Sequence, residues 1–155
     1  MVLVLLGLLR GFRSDKLRRL RIEHITVSPG QGMTLFLPRS KSDRSNVGRI
    51  FKLPAVSHFC LVAAYTDSVA NAGLTEGLVF RRIVRWGRAG ERPLHRHSIT
   101  ALLPESDRYS CHSLRRIIAA RANANRWDVK SLMEYAGWKD VHSALRYLDA
   151  PDPFT

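Results

Sequence analysis

The chain has 155 residues, of which 45% are apolar, enough for one compact domain with a single buried core. Its 25 Lys and Arg residues outnumber 13 acidic residues and give a formal charge of +12, so the folded surface should attract polyanions, with nucleic acid as the leading partner. The two cysteines, Cys60 and Cys111, form no CxxC pair, which excludes a disulfide framework and a cysteine-based zinc site and favours a reducing, cytoplasmic compartment.

The first elements in chain order are two short helices. Residues 1–9, MVLVLLGLL, predict a buried helix that Gly11 ends. This apolar stretch resembles part of a signal peptide, but no basic stretch precedes it, no cleavage site follows it, and it is too short to span a bilayer. An Arg-rich second helix is expected from Ser14, a favourable N-cap residue.

A small sheet is predicted next. Extended segments begin at Ile22 and recur at 33–37 and 49–53, with a Pro-Gly turn within residues 28–32. They predict a three-stranded antiparallel sheet, in which a polar, basic loop joins the second strand to the third.

The remaining chain predicts helices with one basic interruption. Residues 55–72 carry apolar side chains at helical spacing between Pro54 and Gly73. The Arg-rich segment 79–98 is expected to be a surface strand or loop. Further helices are expected at Ser98–Leu103, His112–Asn123, Val129–Ala136 and Val141–Leu148. The predicted fold is mainly α with a small three-stranded antiparallel sheet (α+β), one domain over residues 1–150 with a tail at 151–155.

Candidate groups for metal-free phosphodiester cleavage occur in order along the chain. This chemistry needs cations around the nonbridging oxygens, an acid for the leaving oxygen and a nucleophile that keeps the bond energy. Arg13 lies at the turn between the first two helices, and Lys41 lies on the basic loop. His112 and Arg115 are three residues apart, which places both on one helical face, and Tyr147 lies near the C-terminus.

Five segments together resemble the tyrosine recombinase (phage integrase) family, over Leu3 to Ala150. The segments are Gly11-Phe12-Arg13 with Leu17, similar to the first arginine box; Arg39 to Asp43, similar to the hairpin lysine; Cys111 to Arg116, similar to the HxxR box; Leu132 to Trp138, similar to the element that ends in His or Trp; and Tyr147, nine residues after Trp138. The chain departs from the family at Lys16, where Glu is common, and in the short connection from Leu103 to Ser110.

The resemblance implies a covalent mechanism. Tyr147 would attack the scissile phosphorus to give a 3'-phosphotyrosine and a free 5'-hydroxyl. Arg13 and Arg115 would clamp the nonbridging oxygens and neutralise the charge that grows in the transition state. Attack by the 5'-hydroxyl of a second strand reverses the step, so neither a metal nor another cofactor is expected.

The resemblance also implies roles for three further residues. Lys41 would protonate the leaving oxygen. His112 would assist the transfer of the proton from the tyrosine hydroxyl or donate a hydrogen bond to the phosphate. Trp138 would pack against the phosphate site and donate its indole N–H, although it also suits a purely structural aromatic. Three other tyrosines compete with Tyr147 as nucleophile and are more typical of packing or capping positions: Tyr65, Tyr109 and Tyr135.

The expected partner is double-stranded DNA. Arginine holds two phosphate oxygens at once, so backbone contacts are expected from Arg39, Arg44, Arg81, Arg82, Arg85 and Arg116, some of which also suit a solvated face. The resemblance further implies a homo-tetramer on two DNA sites, with the segment after Tyr147 exchanged between neighbours. The N-terminal core-binding domain of the family is expected to be absent, and neither a membrane nor a small-molecule cofactor is expected.

Other functions remain open at this stage. The second hypothesis is a truncated, noncatalytic DNA-binding remnant of an integrase. An RNA-binding protein and a type IB topoisomerase are further alternatives, the latter with the same chemistry. His95 and His97 form an HxH pair, but no cysteine or acidic partner stands at zinc-ligand spacing.

Overall fold

A computed structural model of the chain describes residues 1–38, 47–103 and 108–148. The elements in chain order are α1 Val2–Arg10, α2 Ser14–Arg18, a 3-10 turn Ile22–His24, β1 Ile25–Ser28, β2 Gly32–Leu37, β3 Arg49–Pro54, α3 Leu61–Asn71, β4 Arg81–Ile83, β5 Ala89–Pro93, α4 Arg96–Ala101, α5 Cys111–Ala124, α6 Val129–Ala136 and α7 Val141–Leu148. The basic loop with Arg39, Lys41 and Arg44 lies outside the described residues.

Strands β1, β2 and β3 form an antiparallel sheet in that order, which confirms the predicted three-stranded sheet. Period-two alternation buries one face: Met33 and Leu35 on β2 point to the same side as Phe51 and Leu53 on β3. The first strand begins at Ile25, because residues 22–24 form a 3-10 turn. The sequence prediction of an extended segment from Ile22 was wrong for these three residues.

Helix α1 is part of the core, as its apolar sequence predicts. Val2, Leu3, Leu5 and Leu6 are all buried. The helix crosses α5 at Gly7, where a Cβ atom would lie 2.4 Å from Cδ1 of Leu114. Among the described residues, no helix has the length and apolarity needed to cross a bilayer.

Three predicted boundaries differ from the structure. Helix α3 begins at Leu61, not after Pro54, because the preceding Phe59 is exposed and has a φ of 51°, which a helix does not accommodate. Helix α4 starts at Arg96, two residues early, after His95 accepts a hydrogen bond from the His97 N–H. In α2 the N-cap is Arg13 and Ser14 is already helical.

The Arg-rich segment forms a hairpin. Strands β4 and β5 pair antiparallel, with Arg81 opposite Pro93 and Ile83 opposite Ala89. The tip is exposed, as the sequence predicts for a surface strand or loop.

Arg10 is a buried cation that joins α1 to two distant segments. Its Nη1 donates to the Tyr135 carbonyl at 2.8 Å, and its Nη2 donates to the Lys52 carbonyl. The guanidinium also lies 4.1 Å from the centre of the Tyr135 ring. Helix α1 is thereby attached both to β3 and to the end of α6, a role that the sequence analysis did not identify.

Replacing Arg10 should lower the free energy of unfolding. Arg10→Met leaves two carbonyl acceptors without their donor, and we expect a loss of about 2–3 kcal/mol in urea denaturation. The control is Arg19→Met, because Arg19 forms an exposed ion pair with Asp15 at 3.3 Å. That pair should contribute less than about 1 kcal/mol, so equal losses in the two variants would contradict the role assigned to Arg10.

Candidate active site

Arg115 on α5 lies at the centre of the candidate site. Its side chain is buried, and Nη1 donates to the carbonyl of Gly11 at 2.7 Å. The guanidinium carbon lies 4.1 Å from the centre of the Trp138 ring and 5.3 Å from that of Tyr147. Burial lowers the pKa of Arg115, and the Tyr147 phenol opposes this change. The guanidinium group remains charged at neutral pH.

Gly11 makes the approach of Arg115 possible. It ends α1 in the left-handed conformation, with a φ of 58°, and its N–H donates to the Gly7 carbonyl. A Cβ atom here would lie 3.3 Å from Ile118, 3.5 Å from Trp138 and 3.6 Å from the Arg115 stem. Glycine therefore meets both a conformational and a steric requirement.

His112 and Tyr147 are brought together from positions 35 residues apart in the sequence. The Nδ1 atom of His112 lies 2.9 Å from the Tyr147 hydroxyl oxygen, a hydrogen-bond distance. His112 is held in the first turn of α5 by a capping box: the Ser110 hydroxyl accepts the His112 N–H, and the Ser113 hydroxyl accepts the Ser110 N–H. Helix α7 carries Tyr147 against α5.

Arg13 completes a basic cavity beside these residues. The cavity has a volume of about 350 Å³ and is lined by residues that include Arg13, Lys16, Arg96, His112, Arg115, Trp138 and Lys139. Arg13 is exposed at the start of α2, directly after the turn that Gly11 makes. The structure thus places four of the predicted site residues around one cavity: Arg13, His112, Arg115 and Trp138. The Tyr147 hydroxyl lies against one of these four, the His112 ring. The position of Lys41 lies outside the described residues.

Trp138 forms part of the cavity wall and part of the core. It follows Gly137, which ends α6 in the left-handed conformation with a φ of 67°. The indole packs against Arg115 and lies 5.2 Å from the Tyr147 ring, centre to centre. Its Nε1 is buried and has no hydrogen-bond partner within the described part of the chain. Donation of this N–H to a phosphate stays a prediction.

Lys16 also lines this cavity. The sequence identifies it only as a departure from the family pattern and not as a site residue. Its Nζ lies 3.4 Å from the Gly137 carbonyl oxygen and 5.3 Å from the centres of the Phe12 and Phe51 rings. The pKa of Lys16 is lowered to about 8, first by burial and then by the positive charges of four neighbours: Arg115, Arg49, Arg13 and Lys139. The available signal was its position three residues after Arg13.

The predicted DNA-contacting arginines differ in their surroundings. Arg81 donates to the Leu78 carbonyl at 2.7 Å and to the Glu76 carbonyl, so its guanidinium group is engaged within its own segment. Arg82 and Arg85 are exposed, and Arg85 lies 5.7 Å from the ring of Trp86, whose surface is 82% exposed. Arg116 is half-buried on α5. Arg39 and Arg44 lie outside the described residues.

Metal ligands are not clustered in the part of the chain that the structure describes: no three His, Cys, Asp or Glu side chains come together there. His95 and His97 stack with ring centres 5.3 Å apart, and the His95 Nδ1 accepts the His97 backbone N–H. The HxH pair is thus part of the α4 N-terminus.

The requirement for glycine at position 11 can be measured against a matched glycine. Gly73 has a similar φ of 61°, but a Cβ atom there would have no neighbour within 4 Å. Gly73→Ala should therefore lose about 1–2 kcal/mol of unfolding free energy from backbone strain alone. Gly11→Ala should lose more, because Ile118, Trp138 and Arg115 must also move. Chemical denaturation of both variants checks this order, and an equal loss would contradict the close packing.

Comparisons with known proteins find similar structures but no similar sequences. No protein-family model matches the sequence, and neither does any curated protein. Among solved structures, XerA recombinase matches with a TM-score of 0.70 and 16% identity, over 97% of this chain and 53% of that one. The XerH site-specific recombinase in a pre-cleavage complex with its difH substrate matches with a TM-score of 0.66 and 18% identity, over 96% of this chain and 42% of that one.

A third similar structure is the Tn1549 transposon integrase in complex with transposon right end DNA, with a TM-score of 0.55 and 15% identity. It is matched over 98% of this chain and 54% of its own length. The chain spans about half the length of the structures that it matches.

Proposed function

We propose that this chain, which has the fold of a tyrosine recombinase catalytic domain, cuts and rejoins DNA through a 3'-phosphotyrosine intermediate. The observation that carries the proposal is the 2.9 Å contact between the Tyr147 hydroxyl and His112, directly beside the buried Arg115 guanidinium. A nucleophile within hydrogen-bond reach of a base, next to a fixed cation, is the arrangement that nucleophilic catalysis requires. The XerH and Tn1549 structures hold DNA substrates, which supports DNA as the substrate class.

The proposed reaction uses these groups together with Lys41. The Tyr147 oxygen forms a bond to phosphorus as its proton passes to His112, and the bond from phosphorus to the 5'-oxygen breaks. Arg13 and Arg115 donate to the nonbridging oxygens, whose negative charge is greatest in the transition state. We assign protonation of the leaving 5'-oxygen to Lys41. Return attack by a 5'-hydroxyl releases the tyrosine and reseals the strand.

The surrounding surface supplies the DNA contacts in this proposal. Arg82 and Arg85 on the β4–β5 hairpin are exposed and suited to backbone phosphates, and Arg116 lies on the same helix as Arg115. Arg39, Arg44 and Arg81 belong to the same proposal from the sequence alone. A homo-tetramer on DNA, a catalytic domain over residues 1–150 and a cytoplasmic location complete it.

A noncatalytic DNA-binding remnant is the second candidate. The observation that favours it is Lys16, a cation inside the cavity at a position where the family commonly has Glu. This candidate predicts DNA binding without covalent chemistry, whereas the assembled His112–Tyr147 pair favours the enzyme.

Covalent trapping separates the two candidates. Given a nicked duplex from which the 5'-hydroxyl fragment diffuses away, the protein should form an adduct that migrates slowly in denaturing gels. Tyr147→Phe removes the nucleophilic oxygen and should abolish the adduct. Tyr135→Phe is the matched control, since the Tyr135 ring packs on Arg10 and Trp127 away from the cavity, and should retain it. Retention of DNA with no adduct under any condition would favour the remnant.

Arg115→Lys tests the central cation. Lysine keeps the charge but loses the planar fork that contacts Gly11 and stacks on Trp138. Loss of one such transition-state donor should slow adduct formation by about 10²- to 10³-fold in single-turnover measurements. Arg121→Lys, an exposed position on the same helix, should leave the rate unchanged. A slow rate in both variants, or in neither, would contradict the assignment.

A further inference from the structure

Lys16 is a cation with little compensation at a position where a negatively charged ligand would bind. Within the described residues, its three N–H donors have one hydrogen-bond acceptor, the Gly137 carbonyl at the long distance of 3.4 Å. The rings of Phe12 and Phe51 flank the ammonium group and withdraw it from water. The remaining side of Lys16 faces the cavity that Arg13, His112 and Arg115 also line.

Four basic side chains on the surrounding elements act on the ammonium group of Lys16. Arg13 precedes α2, Arg49 lies on β3, Arg115 on α5 and Lys139 after α6, and all four act on its ammonium group. Cys111, His112 and Arg96 complete the cavity wall together with two carboxylates, Asp15 and Asp140.

Neither of these carboxylates pairs with Lys16. Asp15 forms an ion pair with Arg19, at 3.3 Å. Asp140 accepts hydrogen bonds from the backbone N–H groups of His142 and Ser143 and from the Ser143 hydroxyl. Among the described residues, no carboxylate of the cavity wall therefore offsets the repulsion between Lys16 and its basic neighbours, and an anionic ligand would offset it.

We propose that Lys16 is a proton-linked anion ligand of the cavity: its ammonium group donates to the phosphodiester of a docked DNA strand, and it takes up a proton when that strand binds. The inference rests on the proposed function, because it takes the substrate to be DNA docked in this cavity. It adds to the proposed site a further phosphate-binding residue and a pH dependence of DNA binding, which Tyr147, Arg13 and Arg115 do not supply.

The direction of the pH dependence follows from linkage. In the free protein the pKa of Lys16 is about 8, so the amine is partly neutral above that pH. A bound phosphate favours the charged form and raises the pKa, and the protonated protein must therefore bind DNA more tightly. Affinity should fall as the pH rises above about 8, approaching about tenfold per pH unit for one linked proton.

The same pKa makes a separate prediction about the free fold. Between about pH 8 and the ordinary lysine value of 10.5 the unfolded chain binds more protons at this position than the folded chain does, so the contribution of Lys16 to stability rises with pH across that window. Below pH 8 the buried ammonium group opposes folding. Lys16→Met should therefore stabilise the free protein at pH 7 and weaken its binding to DNA, a combination that a merely structural lysine would not produce.

Proton uptake can be measured by calorimetry on the full chain. A short duplex is titrated at pH 8.5 and at pH 6.5 in two buffers of different ionisation enthalpy, in a Tyr147→Phe background so that no bond breaks. The parent for these measurements is the Tyr147→Phe protein with Lys16 unchanged. On binding the duplex it should take up on the order of half a proton or more at pH 8.5, and Lys16 should contribute much less at pH 6.5. Lys16→Arg should bind without this uptake, because arginine does not titrate, and Lys16→Met should bind more weakly, also without it.

The matched control is Lys130→Met, which removes an exposed lysine on α6 that does not line this cavity. Its proton uptake should equal that of the parent. Absence of uptake in the parent at pH 8.5, or uptake that persists in Lys16→Met, overturns the inference. The covalent trapping assay tests the proposed function separately. If the protein with Tyr147 forms the adduct but the Tyr147→Phe protein takes up no proton on binding DNA, the enzyme proposal stands and only the role of Lys16 is refuted.

Discussion

The candidate site depends on burying the Arg115 guanidinium. Removing a cation from water is costly unless its donors are used and its faces are covered. Here the Gly11 carbonyl accepts one N–H, and Trp138 and Tyr147 lie against the group. These contacts join the turn after α1, helix α5, and the segment from the end of α6 to α7. A single side chain thus fixes the relative positions of the elements that carry Arg13, His112 and Tyr147.

Arg10 is a second buried arginine that connects elements distant in the sequence. It is buried one residue before Gly11 and ties α1 to β3 and to the C-terminal end of α6. The two arginines therefore connect the end of α1 to different elements, Arg10 to β3 and α6 and Arg115 to α5. Backbone carbonyls accept hydrogen bonds from both cations.

The cavity concentrates positive charge, which opposes folding but suits the proposed reaction. Burial opposes the ammonium form of Lys16 most, and the positive charges of nearby basic side chains oppose it in the same direction. Preorganised cations in a site of low dielectric stabilise developing negative charge most effectively. In the proposed reaction the DNA phosphate supplies the negative charge that the protein omits.

The sequence by itself determined the element types and the candidate residues. Apolar patterning predicts α1 and α5 to α7, alternation predicts the three strands, and local spacing relates His112 to Arg115. The relation of Trp138 to Tyr147 comes from the family resemblance. Such patterns are readable because they depend on neighbours within a few residues. Lys41 remains a prediction of this kind, since it lies outside the described residues.

Tertiary structure alone decided which groups meet. The His112–Tyr147 contact, the burial of Arg10 against Tyr135 and Lys52, and the environment of Lys16 beside Gly137 all join positions far apart in the chain. The late start of α3 has the same origin, because burial against the core, not local spacing, selects its first turn. Burial and the charges of residues far away in the sequence set the pKa of Lys16. Both effects arise only when the chain has folded.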